Sequence, residues 1–345
     1  MKKYWWEDFL DHEHSWQGLV INVAQNDARP LEMQSGHNGR LALKVKGETL
    51  FWATVLKDHG GVWLIFNAEH TAQQQLLPTV TSADVERAKR AGEGHSTRFW
   101  SRFFAGQLMA GPAPLLAPGR WLLRPMDQVK PTAPYVLGKR LPVEKWRFQT
   151  PACSASMNIS WSLYSEDFPD LQAPKKVQLV DWWWGGYLLL ARYPVEPESG
   201  RVKWWRKKSL EGSLPPVLVW FISGLASFVI LDGHDRLQAA LAEGIQPQFL
   251  VLSEIGEQTF TPDEKKRQQV LQSLAIQQEK RKKAPASVDA MNQSLIELYD
   301  TQHLYALTHS RAVLGKGEGW EREVKAYLQQ HDLKEYLVNI LAREE

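Results

Sequence analysis

The stretch that most constrains this fold runs from Val217 to Leu252, VLVWFISGLASFVILDGHDRLQAALAEGIQPQFLVL. Two apolar runs, Val217 to Ile222 and Phe228 to Leu231, flank Ser223-Gly224, a pair that favours a short turn. Short apolar runs bounded by turn residues read as buried strands. Asp232-Gly233 closes the second run. Leu237, Ala240 and Leu241 then share one helical face until Gly244 stops the helix, and Phe249 to Leu252 is again strand-like. The expected order is strand, turn, strand, tight glycine turn, helix, strand.

That order places His234, Asp235 and Arg236 in the first turn of the helix. Free backbone N–H groups, the positive end of the helix dipole and a guanidinium all favour an anion there. The stretch therefore contains a candidate site, with Gly233, His234 and Arg236 as ligand-holding residues. Asp232, His234 and Asp235 are its candidates for acting on a metal or a proton. No reaction follows from these residues alone.

Gly212-Ser213-Leu214-Pro215-Pro216, followed by Asp232-Gly233-His234-Asp235-Arg236 and Ala239-Ala240, resembles the ParB/sulfiredoxin superfamily over about residues 201–254. The usual pattern there is Gly-x-Leu-x-Pro before a strand, then Asp-Gly-x-x-Arg-x-x-Ala. The resemblance implies an α/β unit whose Gly-x-x-Arg turn holds nucleotide phosphates, with a nucleoside triphosphate and Mg²⁺ as the implied ligands. It implies no single activity, because the fold hosts partition proteins, hydrolases, kinases, nucleases and a sulfinic-acid reductase. The chain departs from the family patterns in three ways. The reductases carry a Cys after the turn glycine, where this chain has His234, and its single cysteine, Cys153, lies far upstream. Partition proteins carry a second arginine before Arg236, where this chain has Asp235. No helix-turn-helix pattern follows Leu252.

Tryptophan divides the chain. Of 16 residues, all but Trp320 lie at or before Trp220. Core packing explains most of them, and a stacking surface for a ligand is the alternative. Trp182-Trp183-Trp184 cannot all face one side of a strand, so one of them faces another layer, a partner or solvent. Before residue 80 the pattern is a β meander, with strands at 19–23, 41–45, 50–55 and 62–66. Its histidines include His12 and His14 but have no compact metal spacing, and no metal site is expected. A capping box at Ser82 to Glu86 opens a helical stretch that ends in a basic-aromatic cluster, Arg98, Trp100, Arg102, Phe103 and Phe104. The proline-rich residues 111–150 read as extended, ordered connections. Val177 to Val180 and Tyr187 to Leu190 read as strands paired around Gly185-Gly186. RVKWWRKK, Arg201 to Lys208, reads either as a solvated helix with two buried tryptophans or as a basic wall of the anion site.

After Leu252 the pattern turns helical. Thr261-Pro262 opens a helix toward Lys283, Ser287 to Asp289 another, and a last helix spans Trp320 to about Leu341. The expected fold class is α+β. Residues 1–170 form a Trp-rich, mostly β region, 171–258 the ParB/sulfiredoxin-like α/β domain, and 259–345 a helical domain.

One cysteine excludes an intrachain disulfide and fits a reducing cytoplasm. A net charge of +2 gives no global drive toward nucleic acid or anionic membranes. The N-terminus lacks the apolar core of a signal peptide, and no membrane span is expected. Nucleic-acid contact remains open through Arg98 and Arg102, or through Arg281, Lys282 and Lys283. A protein partner or homodimer remains open through the C-terminal helices. Two functions stand side by side. One is a nucleotide- or phosphate-binding protein, with hydrolase, kinase or nuclease activity within its range. The other is a non-catalytic interaction or regulatory protein that keeps the ParB-like fold as a scaffold.

Overall fold

The computed structural model describes residues 3–11, 13–26, 31–67, 76–92, 95–110, 114–129, 140–151, 157–183, 187–259, 264–280 and 302–341. The chain opens with β1 (Tyr4–Leu10), β2 (Trp16–Val23), β3 (Leu31–Ser35), β4 (Arg40–Val45), β5 (Glu48–Val55) and β6 (Gly61–Phe66). Two helices follow, α1 (Ser82–Arg90) and α2 (Ser96–Leu108). Then come β7 (Gly119–Gln128), β8 (Arg147–Gln149), β9 (Met157–Asn158), β10 (Ser162–Tyr164), β11 (Val177–Asp181) and β12 (Leu188–Leu190). The stretch read first is α3 (Gly200–Leu210), β13 (Val217–Ile222), β14 (Ser227–Asp232), α4 (His234–Glu243) and β15 (Phe249–Thr259). It ends the way the periodicity requires, with Arg236 in the first turn of α4. The remainder is α5 (Glu264–Lys280), β16 (Gln302–Leu307), β17 (Ser310–Ala312), α6 (Glu318–Gln330) and α7 (Leu337–Leu341).

These elements make a mixed α/β fold with two sheets. The larger has the path β1-β2-β7-β15-β13-β14-β12, with β8, β9, β10 and β16 attached to it. All six residues of β13 are buried, between parallel β15 and antiparallel β14. The smaller sheet runs β11-β6-β5-β4-β3-β17. Its central strands, β4, β5 and β6, bury both faces. Ala42, Trp52 and Ile65 pack under α6, whereas their neighbours Leu43, Phe51, Ala53, Leu64 and Phe66 enter the main core. That two-sided burial is why these strands read as near-continuous apolar runs. Helix α6 is pinned by polar groups as well: Trp320 Nε1 donates to the Leu41 carbonyl at 2.8 Å and the Tyr327 hydroxyl to Phe66 at 2.6 Å.

Strand pairing crosses the three stretches of the sequence. β1, β2 and β7 share a sheet with β13 to β15, and β17 from the C-terminal stretch pairs with β3. Several expectations need correction. Val177–Asp181 and Leu188–Leu190 are strands, but they belong to different sheets: β11 pairs with β6 and β12 with β14. The C-terminal stretch is not wholly helical, since it contributes β16 and β17. Its last helix is broken after Gln330, where Asp332 takes a φ of 56°. The box that opens α1 is capped by Thr81, one residue earlier than expected, with Asp84 as its reciprocal partner. Within the proline-rich segment lies a ten-residue central strand, β7. Pro125 is tolerated there because β2 pairs only as far as Leu123 and β8 begins at Asp127, so its missing N–H faces a gap. Trp183 is 75% exposed, the outward tryptophan that the triplet requires. Cys153, Arg281, Lys282, Lys283 and the helix expected from Ser287 lie outside the described residues.

Candidate functional site

Gly233 sits at the head of α4 with φ 108° and ψ 22°, a left-handed conformation that turns the chain from β14 into the helix. The same glycine is required by packing. A Cβ there would stand 2.8 Å from a guanidinium nitrogen of Arg236. Arg236 thus folds back against the turn rather than reaching out of it. It is 1% exposed, with one terminal nitrogen donating to Asp232 Oδ2 at 2.7 Å and to the Pro216 carbonyl at 3.0 Å. Phe104 of α2 and Trp205 of α3 lie on its guanidinium at 5.9 and 5.6 Å. Its Nε is buried without a hydrogen-bond partner among the described residues.

His234 is fully buried. Its Nε2 accepts the Arg192 backbone N–H at 3.0 Å, so the ring proton resides on Nδ1, which is buried and unpartnered among the described residues. Burial, reinforced by the charges of Arg192 and Arg236, holds this imidazole well below its ordinary pKa and keeps it neutral. Tyr193 stacks on it with centroids 3.9 Å apart, and burial pushes the phenol up to about 12. Arg192 is buried as well and donates to the carbonyls of Ile230 and Leu231 at 2.7 and 2.8 Å.

The carboxylates are the part of the turn that reaches solvent. Asp232 and Asp235 keep 23% and 29% of their side-chain exposure. Burial raises the Asp235 pKa, with Arg201 and Arg236 opposing it. Arg201 lies 3.5 Å from Asp235, and Arg206 bonds Glu243 at 2.5 Å. These two basic residues of α3 therefore clamp α3 onto α4. Trp205 is in the core beneath them.

The structure brings together all the residues singled out at the turn, Asp232, Gly233, His234, Asp235 and Arg236. It adds Arg192 and Tyr193, which sequence reasoning missed, and Phe104 and Trp205, which the sequence placed in the basic-aromatic cluster and in the RVKWWRKK helix. Arg192-Tyr193 carried a readable signal, a charged-aromatic pair directly after the apolar run of β12. For Phe104 and Trp205 the sequence marked the segments but not the contact with Arg236, which depends on how α2 and α3 pack. A cleft of about 770 Å³ lies elsewhere, at the C-terminal ends of α3 and α4, and includes Ser213, Leu214, Gln246 and Gln248 in its walls. No residue of the turn lines it. Among the described residues there is no cluster of three or more metal-ligating side chains, and no helix long and apolar enough to cross a membrane. The chain matches no family model, no curated protein and no solved structure.

Proposed function

We propose that this chain is a non-catalytic binding protein that uses a ParB/sulfiredoxin-like unit as a scaffold. One observation carries the reading: Arg236, the residue that would hold phosphate, is sealed between Phe104 and Trp205 and already neutralised by Asp232. A phosphate arriving at the turn meets Asp232 and Asp235 before it meets the guanidinium. Like charges at the mouth of a site oppose an anionic ligand. His234 is neutral and enclosed, which leaves it no proton path to a substrate.

A second reading is favoured by the same two carboxylates. Asp232 and Asp235 would be the residues to hold Mg²⁺, whose charge would offset their repulsion of a nucleoside triphosphate and leave the first N–H groups of α4 to its phosphates. Thermal shift and calorimetry with nucleoside triphosphates, with and without Mg²⁺, separate the two. The scaffold reading expects no nucleotide-dependent shift that requires the turn. A Mg²⁺-dependent shift that disappears in Asp235→Asn, whose side chain is partly exposed and whose replacement keeps the shape, sinks the scaffold reading and establishes the second.

A further inference from the structure

Apart from Phe104, the basic-aromatic cluster of α2 is not absorbed by the turn. Helices α1 and α2 enclose a groove of about 430 Å³ lined by Arg87, Ala91, His95, Arg98, Phe99, Arg102 and Phe103. Its floor is apolar. Phe99 and Phe103, one helical turn apart, have nearly parallel rings, with an interplanar angle of 17° and centroids 6.3 Å apart. Its rim is three arginines and a histidine, with no carboxylate among its described lining residues. Asp84 and Asp8 reach Arg87 and Arg102 from outside the groove. Arg87 is 61% exposed but ends on the buried Asp84, whereas Arg102 and Asp8 are 53% and 33% exposed, a surface pair of small worth for which a phosphate can compete.

Two further features extend the positive strip. The first turn of α2 contains no acidic residue, and its N-cap, His95, makes no side-chain cap. The dipole at this end therefore adds to the arginines. On the far side of His95 and Arg98 a second depression, about 400 Å³, is lined by Trp16, Thr97, Pro125, Asp127 and Pro151 as well as by those two residues. Arg98 lies over the Trp16 ring at 5.5 Å. Three aromatic rings, Trp16, Phe99 and Phe103, thus alternate with Arg98 and Arg102 along one surface. The strip ends at Asp127, a carboxylate that an anionic chain avoids.

We infer that this strip binds single-stranded nucleic acid, with bases on Phe99 and Phe103 and phosphates on Arg87, Arg98 and Arg102. Flat rings on an apolar floor fit unpaired bases of any sequence, and guanidiniums spaced along the helix fit a backbone charge at each step. An acidic peptide would use the arginines but leave the ring floor without flat partners. The inference goes beyond the scaffold reading, and its variants lie outside the Gly233 turn, so either can fail without the other.

The test is fluorescence anisotropy of a short labelled oligothymidine with the full chain across a salt series. Three arginine contacts, at about 0.7 per phosphate neutralised on a single strand, give a log–log salt slope of about −2. In the double variant Arg98→Ala/Arg102→Ala affinity should drop at least tenfold and the slope should shrink to about −0.7. Arg311→Ala, a remote exposed arginine, should bind like the wild type. Should the double variant fail to fold, ultraviolet cross-linking of the wild type to the same oligonucleotide is read instead, with the adduct expected in the peptide holding Phe99 and Phe103. Binding that is absent, unchanged in the double variant, cross-linked elsewhere, or matched by polyglutamate or by thymidine monophosphate overturns the proposal.

Discussion

Two groups of arginines in this chain do opposite things with the same side chain. At the Gly233 turn, Arg236 and Arg192 are buried and end on fixed acceptors: a carboxylate and backbone carbonyls. Along α2, Arg98 is half-buried over the Trp16 ring, and Arg102 is exposed, with its carboxylate partner Asp8 at the surface as well. A buried charge must be paired to be tolerated, whereas an exposed one is solvated and free to exchange partners. The motif that looks most like a ligand site is therefore the one whose cation is committed to the fold. The plain helix surface is where a cation's pairing is exposed enough to be exchanged.

The largest effect that can break this contrast is at Arg236. Arg236→Ala removes one half of a buried pair and the filling between Phe104 and Trp205. It should cost about 3–5 kcal/mol in chemical denaturation. A loss below about 1 kcal/mol would place the guanidinium in solvent and return the turn to the list of open anion sites. Next comes Gly233→Ala, which meets both a φ of 108° and a guanidinium 2.8 Å from the new Cβ. About 1–3 kcal/mol is expected, read as a lowered melting temperature.

The third effect is on pH dependence. His234 is held neutral in the folded chain, while the unfolded chain takes up a proton near pH 6.5. The unfolded state binds the extra proton, so stability should fall as pH drops below that value, by up to about 1.4 kcal/mol per pH unit. Denaturation curves between neutral and mildly acidic pH measure the slope, and His234→Gln should reduce it. The smallest effect sharpens the comparison from the other side. Arg98→Ala, at a half-buried position over Trp16, should change stability by no more than about 1 kcal/mol, the range of an exposed cation–π contact. A larger loss would show that the Trp16 contact is structural.

The block from Val217 to Leu252 was legible because its signals are local. Apolar runs, Ser223-Gly224 and Gly233 each act within a few residues. β1 was not legible: Trp5, Trp6, Glu7 and Asp8 are all exposed on an edge strand, so no buried face imposes an alternation. Tyr187 to Leu190 suggested a hairpin with Val177 to Val180, yet their partners, β14 and β6, come from distant parts of the chain. The position of the candidate turn could be read from Gly233 and the helix behind it. The direction of Arg236 could not. Asp232 is four residues away and always within its reach, and the choice between that carboxylate and a ligand is made by Phe104 and Trp205.

The pairing of β7 with β15 has a consequence in time. Met126 lies opposite Phe249, and β2 reaches the centre of the sheet only through β7. During synthesis the first two strands and β7 are complete long before their central partner leaves the ribosome. At ordinary translation rates the delay is on the order of ten seconds. Throughout it, Trp121, Leu122 and Leu123 lack the strand that will cover one edge of β7. Refolding from denaturant escapes this vectorial delay but must still close the same long loop. The chain's yield in a cell should therefore depend on what shields that nascent edge, a burden that the finished molecule no longer displays.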